Sequence, residues 1–198
     1  YTPTLLAQDL HHLLAKLNID KVYLLGHSMG GVIAQRFALD YPDPVEALIL
    51  VATSSEVGPK ATAGWEDRIR LVEEKGMEGM VTFGQRVYTP EFAAAHSDVV
   101  EERTKRLLAN DPKAYVKATR AISKYNYTGE LARIKCPTLI LQGEEDVLTP
   151  PGGSVIMHRN IPGSELKMYK GCGHMVPSEK EGEFVSDILN FLKGVETG

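Results

Sequence analysis

The sequence is poor in cysteine: only Cys136 and Cys172 occur in 198 residues. Two thiols do not make a disulfide framework, and both are expected to be free, as in a reducing cytoplasm. Long apolar runs are also missing. The longest, Ala47 to Ala52, has six residues, against the ~20 that cross a bilayer, so no membrane partner is expected. Nor is there a surplus of positive charge: 22 Lys and Arg face 26 Asp and Glu, a net charge of −4. That balance leaves no basic footprint for nucleic acid. No internal repeat, low-complexity tract or signal-peptide pattern is visible, although the chain opens on Tyr1 rather than Met. The remaining composition is that of an ordinary globular protein, long enough for one domain with a real core and a small insertion.

One stretch organises the rest: Lys21 to Asp40, KVYLLGHSMGGVIAQRFALD. Val22 to Leu25 reads as a buried strand. Gly26-His27-Ser28-Met29-Gly30 follows, a G-x-S-x-G. Val32, Ile33, Phe37 and Ala38 then recur at helical spacing until Tyr41-Pro42. Strand, tight turn with a serine, and helix form the setting of a nucleophile elbow. The turn is strained, so its flanks must lack bulk. Gly26 and Gly30 supply that, and Gly31 lets the helix approach the sheet. Alone, the motif could be a glycine-rich turn whose serine caps a helix.

GHSMGG after an apolar strand resembles the α/β-hydrolase superfamily. The resemblance implies catalytic partners later in the chain, in the order serine, acid, histidine.

Upstream, Leu6, Leu10, Leu13, Leu14 and Leu17 mark one face of a helix ending near Asn18, a residue tolerated in a left-handed cap. His11 and His12 lie on it as neighbours on different faces, a poor metal pair. Val45 to Thr53 is a second buried strand. From residue 54 to 129 no strong strand signal occurs. Trp65, Ile69 and Val72 space as one helix, Met77 to Val87 as another, and Ser97 to Ala109 as a third. Asp111 and Pro112 cap and open a fourth. The resemblance makes this segment a helical cap over the active site. Pro137 to Gln142 and Glu165 to Lys170 are the third and fourth strands. A final helix starts at Ser178, with Ser178 and Glu181 as a capping box. The expected fold is α/β: a partial parallel sheet of about four strands, the C-terminal half of an α/β-hydrolase domain spanning residues 1–198, with a cap at 54–129.

In open α/β sheets the ligand sits beyond the carboxyl ends of the strands. Ser28, Asp146 and His174 follow the first, third and fourth strands. A serine hydroxyl is a weak nucleophile and needs an adjacent base. His174 would accept its proton, and Asp146 would hold the imidazole's tautomer. The backbone N–H of Met29 would be one oxyanion-hole donor. Glu144 and Glu145 rival Asp146. The family's pattern of glycine, a short acidic gap, Asp and a Thr-Pro turn matches GEEDVLTP and implies Asp146. Cys172, two residues from His174, would point away in a strand-end loop.

The family's sheet has eight strands, and its second oxyanion donor comes from a loop after the third. The four strands here start just before the elbow, so the chain reads as an N-terminally truncated hydrolase or as a reduced variant. Either way its first strand is an uncovered edge, and weak stability and activity of the 198 residues alone are expected. The leading function is hydrolysis of small-molecule carboxylic esters or lactones through an acyl-enzyme. GWEDRIRLVEEKGMEGM resembles, through Trp65, Arg68 and Gly76-Met77, the cap of 3-oxoadipate enol-lactonases. Carbon–carbon bond hydrolases share the triad and stay open, as does a non-catalytic ligand-binding or receptor role. No cofactor is expected, since GHSMGG lacks G-x-G-x-x-G spacing, and no metal site is expected either. Oligomeric state cannot be read from these residues.

Overall fold

The computed structural model describes residues 1–197, side chains of residues 59 and 60 excepted. Four parallel strands, β1 (Val22–His27), β2 (Val45–Val51), β3 (Thr138–Gly143) and β4 (Glu165–Tyr169), form one sheet in the order β1-β2-β3-β4. The expected partial α/β-hydrolase sheet is thus present.

Side-chain alternation along the strands sorts the core into two layers. Leu48, Leu50 and Ile140 face helices α1 (Pro3–Lys16), α2 (Met29–Asp40) and α8 (Gly152–Asn160), where Ala7, Phe37 and Met157 are fully buried. Ile49, Val51, Leu139 and Leu141 face the other way, onto α9 (Val176–Glu179) and α10 (Glu181–Thr197), met by Val176, Phe184, Ile188 and Phe191. Both faces of β2 and β3 are covered, so their sequences read as unbroken apolar runs rather than alternating ones. Each large side chain buried this way contributes roughly 1.5–3 kcal/mol.

β1 is the exception. It was expected to be buried, but Tyr23 and Leu25 are 39% and 44% exposed. Its outer edge pairs with no strand among the described residues. The leucine face of α1 is also only partly covered: Leu10 and Leu14 pack on the core, while Leu13 and Leu17 are exposed. The helix ends as expected, with Asn18 in the left-handed region at φ 55°.

Between β2 and β3 the chain is helical. It comprises α3 (Pro59–Lys75), a 3-10 turn at Gly76–Met80, α4 (Val81–Gln85), α5 (Pro90–Ala95), α6 (Ser97–Leu108) and α7 (Pro112–Ile122). These helices close around a cluster of their own: Ile69, Val72, Met77, Met80 and Val116. The entering and leaving chains run side by side, with Val57 N–H donating to Tyr125 O at 3.0 Å and Tyr127 N–H to Ser55 O at 2.8 Å. Asp111 caps α7 by accepting from Ala114 N–H at 2.7 Å. The single helix expected over Met77–Val87 is instead the 3-10 turn plus α4, because Gly76, Gly79 and Gly84 weaken helical propagation. The Ser178–Glu181 capping box does not form. A short helix already starts at Val176, and Lys180 leaves helical geometry at φ −135° before α10 begins.

Candidate active site

The sharp turn after β1 puts Ser28 at φ 53°, ψ −117°, outside the usual regions for a side chain. Such strain persists only where surroundings over-determine it. Ser28 N–H donates to Val51 O at 2.9 Å, and Thr53 Oγ1 donates to Ser28 O at 2.9 Å. Sterics complete the turn. A Cβ on Gly26 would overlap the Gly30 carbonyl, and one on Gly31 would lie 2.6 Å from Thr53 Cβ. At Gly30 itself an added Cβ would meet nothing, so its expected steric role is not seen. What the turn needs is a bare Gly26 beneath the Gly30 carbonyl. Met29 opens α2, and its N–H has no acceptor among the described residues. An N–H left free at a helix start is suited to a developing negative charge.

The loops after β3 and β4 are stitched together. Glu144 N–H donates to Tyr169 O at 3.0 Å, and Glu145 N–H to Cys172 O at 2.9 Å. A Cβ on Gly143 would overlap Gly173 O, so this approach requires glycine. The result is a direct bond between residues 28 positions apart: His174 Nδ1 to Asp146 Oδ2 at 2.8 Å. Glu144 and Glu145, the rival acids, are exposed or lie outside this contact. The second Asp146 oxygen accepts from Leu148 and Thr149 N–H at 2.8 and 3.0 Å. Thr149 Oγ1 donates to Oδ2 at 2.7 Å. Burial alone would favour the neutral acid, but the hydrogen bonds from His174 and Thr149 win, and Asp146 is held below the usual carboxylate range.

Ser28 and Met29 share a narrow cleft of about 50 Å³ with His174, roofed by Trp65, Arg68 and Tyr125 from the helical segment. The Ser28 hydroxyl makes no hydrogen bond among the described residues, His174 included. Apo contacts of this kind are often open and tighten with substrate. Cys172 is fully buried, and burial first, then Glu179, push its thiol up to about 12. It has no thiolate character at neutral pH.

Several supporting residues escaped the sequence reading. His27 Nε2–H donates to the His174 carbonyl at 2.9 Å, the two rings 4.9 Å apart. Burial, then nearby His174, lower its pKa, so it stays neutral at pH 7. Buried Gln142 donates to Asp146 Oδ2 at 3.2 Å and Thr149 O at 3.1 Å. Glu179 accepts from Gly173 N–H at 3.0 Å, Thr89 N–H at 2.9 Å and Thr89 Oγ1 at 2.7 Å. Val87 O takes His174 N–H at 2.9 Å. Thr149 lay in the Thr-Pro turn and His27 inside GHSMGG, though neither was given a role; Gln142, Glu179 and Val87 sit in no motif.

Known proteins resemble this chain over most of its length. Residues 4–181 match the family described as serine aminopeptidase, S33. A 2-hydroxy-6-oxononadienedioate/2-hydroxy-6-oxononatrienedioate hydrolase of Klebsiella pneumoniae is 30% identical over 194 residues, covering 94% of this chain and 67% of the relative. A thermophilic esterase from Thermogutta terrifontis superposes with a TM-score of 0.88 at 29% identity, covering 98% of this chain and 73% of that one. An enol-lactonase from Burkholderia xenovorans LB400 shares the fold, with a TM-score of 0.92 at 23% identity over 98% of this chain and 74% of that one. With residues 4–181 matched, and a 30% identical relative covered over two thirds of its length, the chain belongs to the serine aminopeptidase S33 family of α/β-hydrolases.

Proposed function

We propose that this chain hydrolyses small carboxylic esters or lactones through an acyl-enzyme, with Ser28, His174 and Asp146 as its triad. The observation that carries this reading is the 2.8 Å Asp146–His174 contact at the cleft that Ser28 also lines. Because Nδ1–H donates to Asp146, Nε2 of neutral His174 keeps its lone pair. It can therefore take the proton as Ser28 Oγ attacks the carbonyl carbon. The Met29 N–H receives the oxyanion. Collapse of the tetrahedral intermediate breaks the ester bond, and the alkoxide leaves with the proton from Nε2. Water, deprotonated by the same nitrogen, then attacks the acyl carbon and releases Ser28 and the acid. The esterase at 29% identity supports ester chemistry. The relative named as a dienedioate and trienedioate hydrolase, at 30%, supports small organic acids as the scale of substrate.

The test is a fluorophosphonate probe with the full chain. Labelling is expected, and it should vanish in Ser28→Ala. A wild-type protein that takes no label while folded would favour the ligand-binding role instead. Among labelled protein's substrates, methyl esters and δ-lactones should turn over. Exclusive cleavage of N-terminal prolyl amides would move the reading to peptidase chemistry.

A further inference from the structure

Three polar atoms of the site form a closed triangle. Asp146 Oδ2 lies 2.8 Å from His174 Nδ1 and 2.7 Å from Thr149 Oγ1, and the third side, from Thr149 Oγ1 to His174 Nδ1, is 3.2 Å. A carboxylate only accepts, so the Thr149 hydroxyl donates to Oδ2. With its hydrogen spent there, Oγ1 turns a lone pair to the third side. Nδ1–H therefore meets two acceptors, Oδ2 and Oγ1. The other neutral tautomer carries its proton on Nε2 and a lone pair on Nδ1. It would set that lone pair against the Asp146 charge, and the hydroxyl would have to choose between Oδ2 and Nδ1.

Thr149 also holds the other carboxylate oxygen. Its backbone N–H donates to Asp146 Oδ1 at 3.0 Å, so one residue grips both oxygens and resists rotation of the carboxylate. That grip is anchored from behind. Fully buried Gln142 donates to Thr149 O at 3.1 Å. Buried Ser154 donates to Gln142 Oε1 at 2.8 Å, which keeps the amide nitrogen turned toward Thr149. The side chain lines the cleft shared by Ser28 and His174.

Resting on the hydrolase reading above, we propose that Thr149 is a positioning residue of the triad: its hydroxyl, as second acceptor for His174 Nδ1–H and as clamp on Asp146, keeps the imidazole in the tautomer that leaves Nε2 free for the Ser28 proton. As Nε2 takes that proton the ring becomes imidazolium, and Nδ1–H becomes a stronger donor. Both of its acceptors then bind it more tightly in the transition state than in the ground state, so the hydroxyl acts on turnover rather than on substrate affinity.

The test uses methyl ester hydrolysis by the full chain. Thr149→Val keeps the branched shape in the cleft wall and removes the hydroxyl, whereas Thr149→Ser keeps the hydroxyl. Thr149→Val should lower kcat by about tenfold, the rate equivalent of one hydrogen bond to a charged group, with KM within about twofold. Thr149→Ser should stay within about threefold of the wild-type kcat. An unchanged kcat in folded Thr149→Val, or Thr149→Ser as slow as Thr149→Val, overturns the proposal. A second readout is nitrogen NMR on protein with isotope-labelled histidine, the His174 signals being those lost in His174→Gln. Wild type and Thr149→Ser should show a protonated Nδ1 and an unprotonated Nε2. In Thr149→Val the two signals should move toward each other as the second tautomer is populated. Identical signals in wild type and Thr149→Val overturn the proposal whatever the rate, since the hydroxyl then leaves the tautomer untouched. These signals need no turnover, so they test Thr149 separately from the hydrolase reading, whose own failure shows as a wild-type chain that takes no fluorophosphonate.

Discussion

Asp146 is 3% exposed and still ionised. A carboxylate that deep is tolerated because two backbone N–H groups, a hydroxyl, an amide and an imidazole converge on it. Its folded pKa lies below the unfolded value near 3.9. The group therefore stabilises the fold above that value, and the contribution is lost as pH falls through the folded pKa. Asp146→Asn should lower stability at pH 7 by about 1–3 kcal/mol, since it replaces an acceptor with a donor facing N–H groups. Thermal unfolding of wild type and variant from pH 7 to pH 3 should show the gap narrowing below about pH 4. A gap independent of pH would mean that the charge is not what the site stabilises. At this scale the sequence was most informative about chemistry: serine and histidine came from motif and order, and the acid from the family pattern that GEEDVLTP resembles. The His27–His174 contact and the Glu179 bridge did not, since hydrogen bonds across the fold leave no local pattern.

Loops, rather than helices or strands, bring the acid and the histidine together, and one side chain ties them to the helical segment. Glu179 bridges Gly173, next to His174, and Thr89, between α4 and α5. Val87 O holds the His174 N–H from the same stretch. Removing the Glu179 carboxylate strands two N–H groups, each costing about 1–3 kcal/mol if buried without a partner. Glu179→Ala should therefore lower the melting temperature and slow fluorophosphonate labelling of Ser28, with Glu179→Gln recovering most of both. Unchanged labelling in a destabilised Glu179→Ala protein would make the bridge a matter of stability only. Element types were legible wherever periodicity was strong, as in α2, β2 and β3. They failed where glycines break a helix, at Gly76–Gln85, and where a short helix pre-empts a cap, at Val176–Glu179.

For the molecule as a whole, β1 matters most. It carries Ser28 at its end, yet its outer edge is unpaired among the described residues and Tyr23 and Leu25 are exposed. An apolar edge strand is a template for pairing with another chain. The 198-residue polypeptide should therefore associate as its concentration rises, and Leu25→Lys should reduce that association in sedimentation or light scattering. A monomer at every concentration, unaffected by Leu25→Lys, would remove this expectation. No helix among the described residues is long and apolar enough to cross a membrane.

What the sequence determined by itself was the α/β rhythm, the elbow and the order of the reactive residues. Each is written in local spacing, apolar runs and glycines that constrain the backbone within a few residues. What only tertiary structure decided was the bridge from Glu179 to Thr89, the hold of Val87 O on the His174 N–H, and the stacking of Arg68 on Phe83. Those depend on which surfaces meet across dozens of positions, and burial and partnership are properties of the packed chain rather than of any segment.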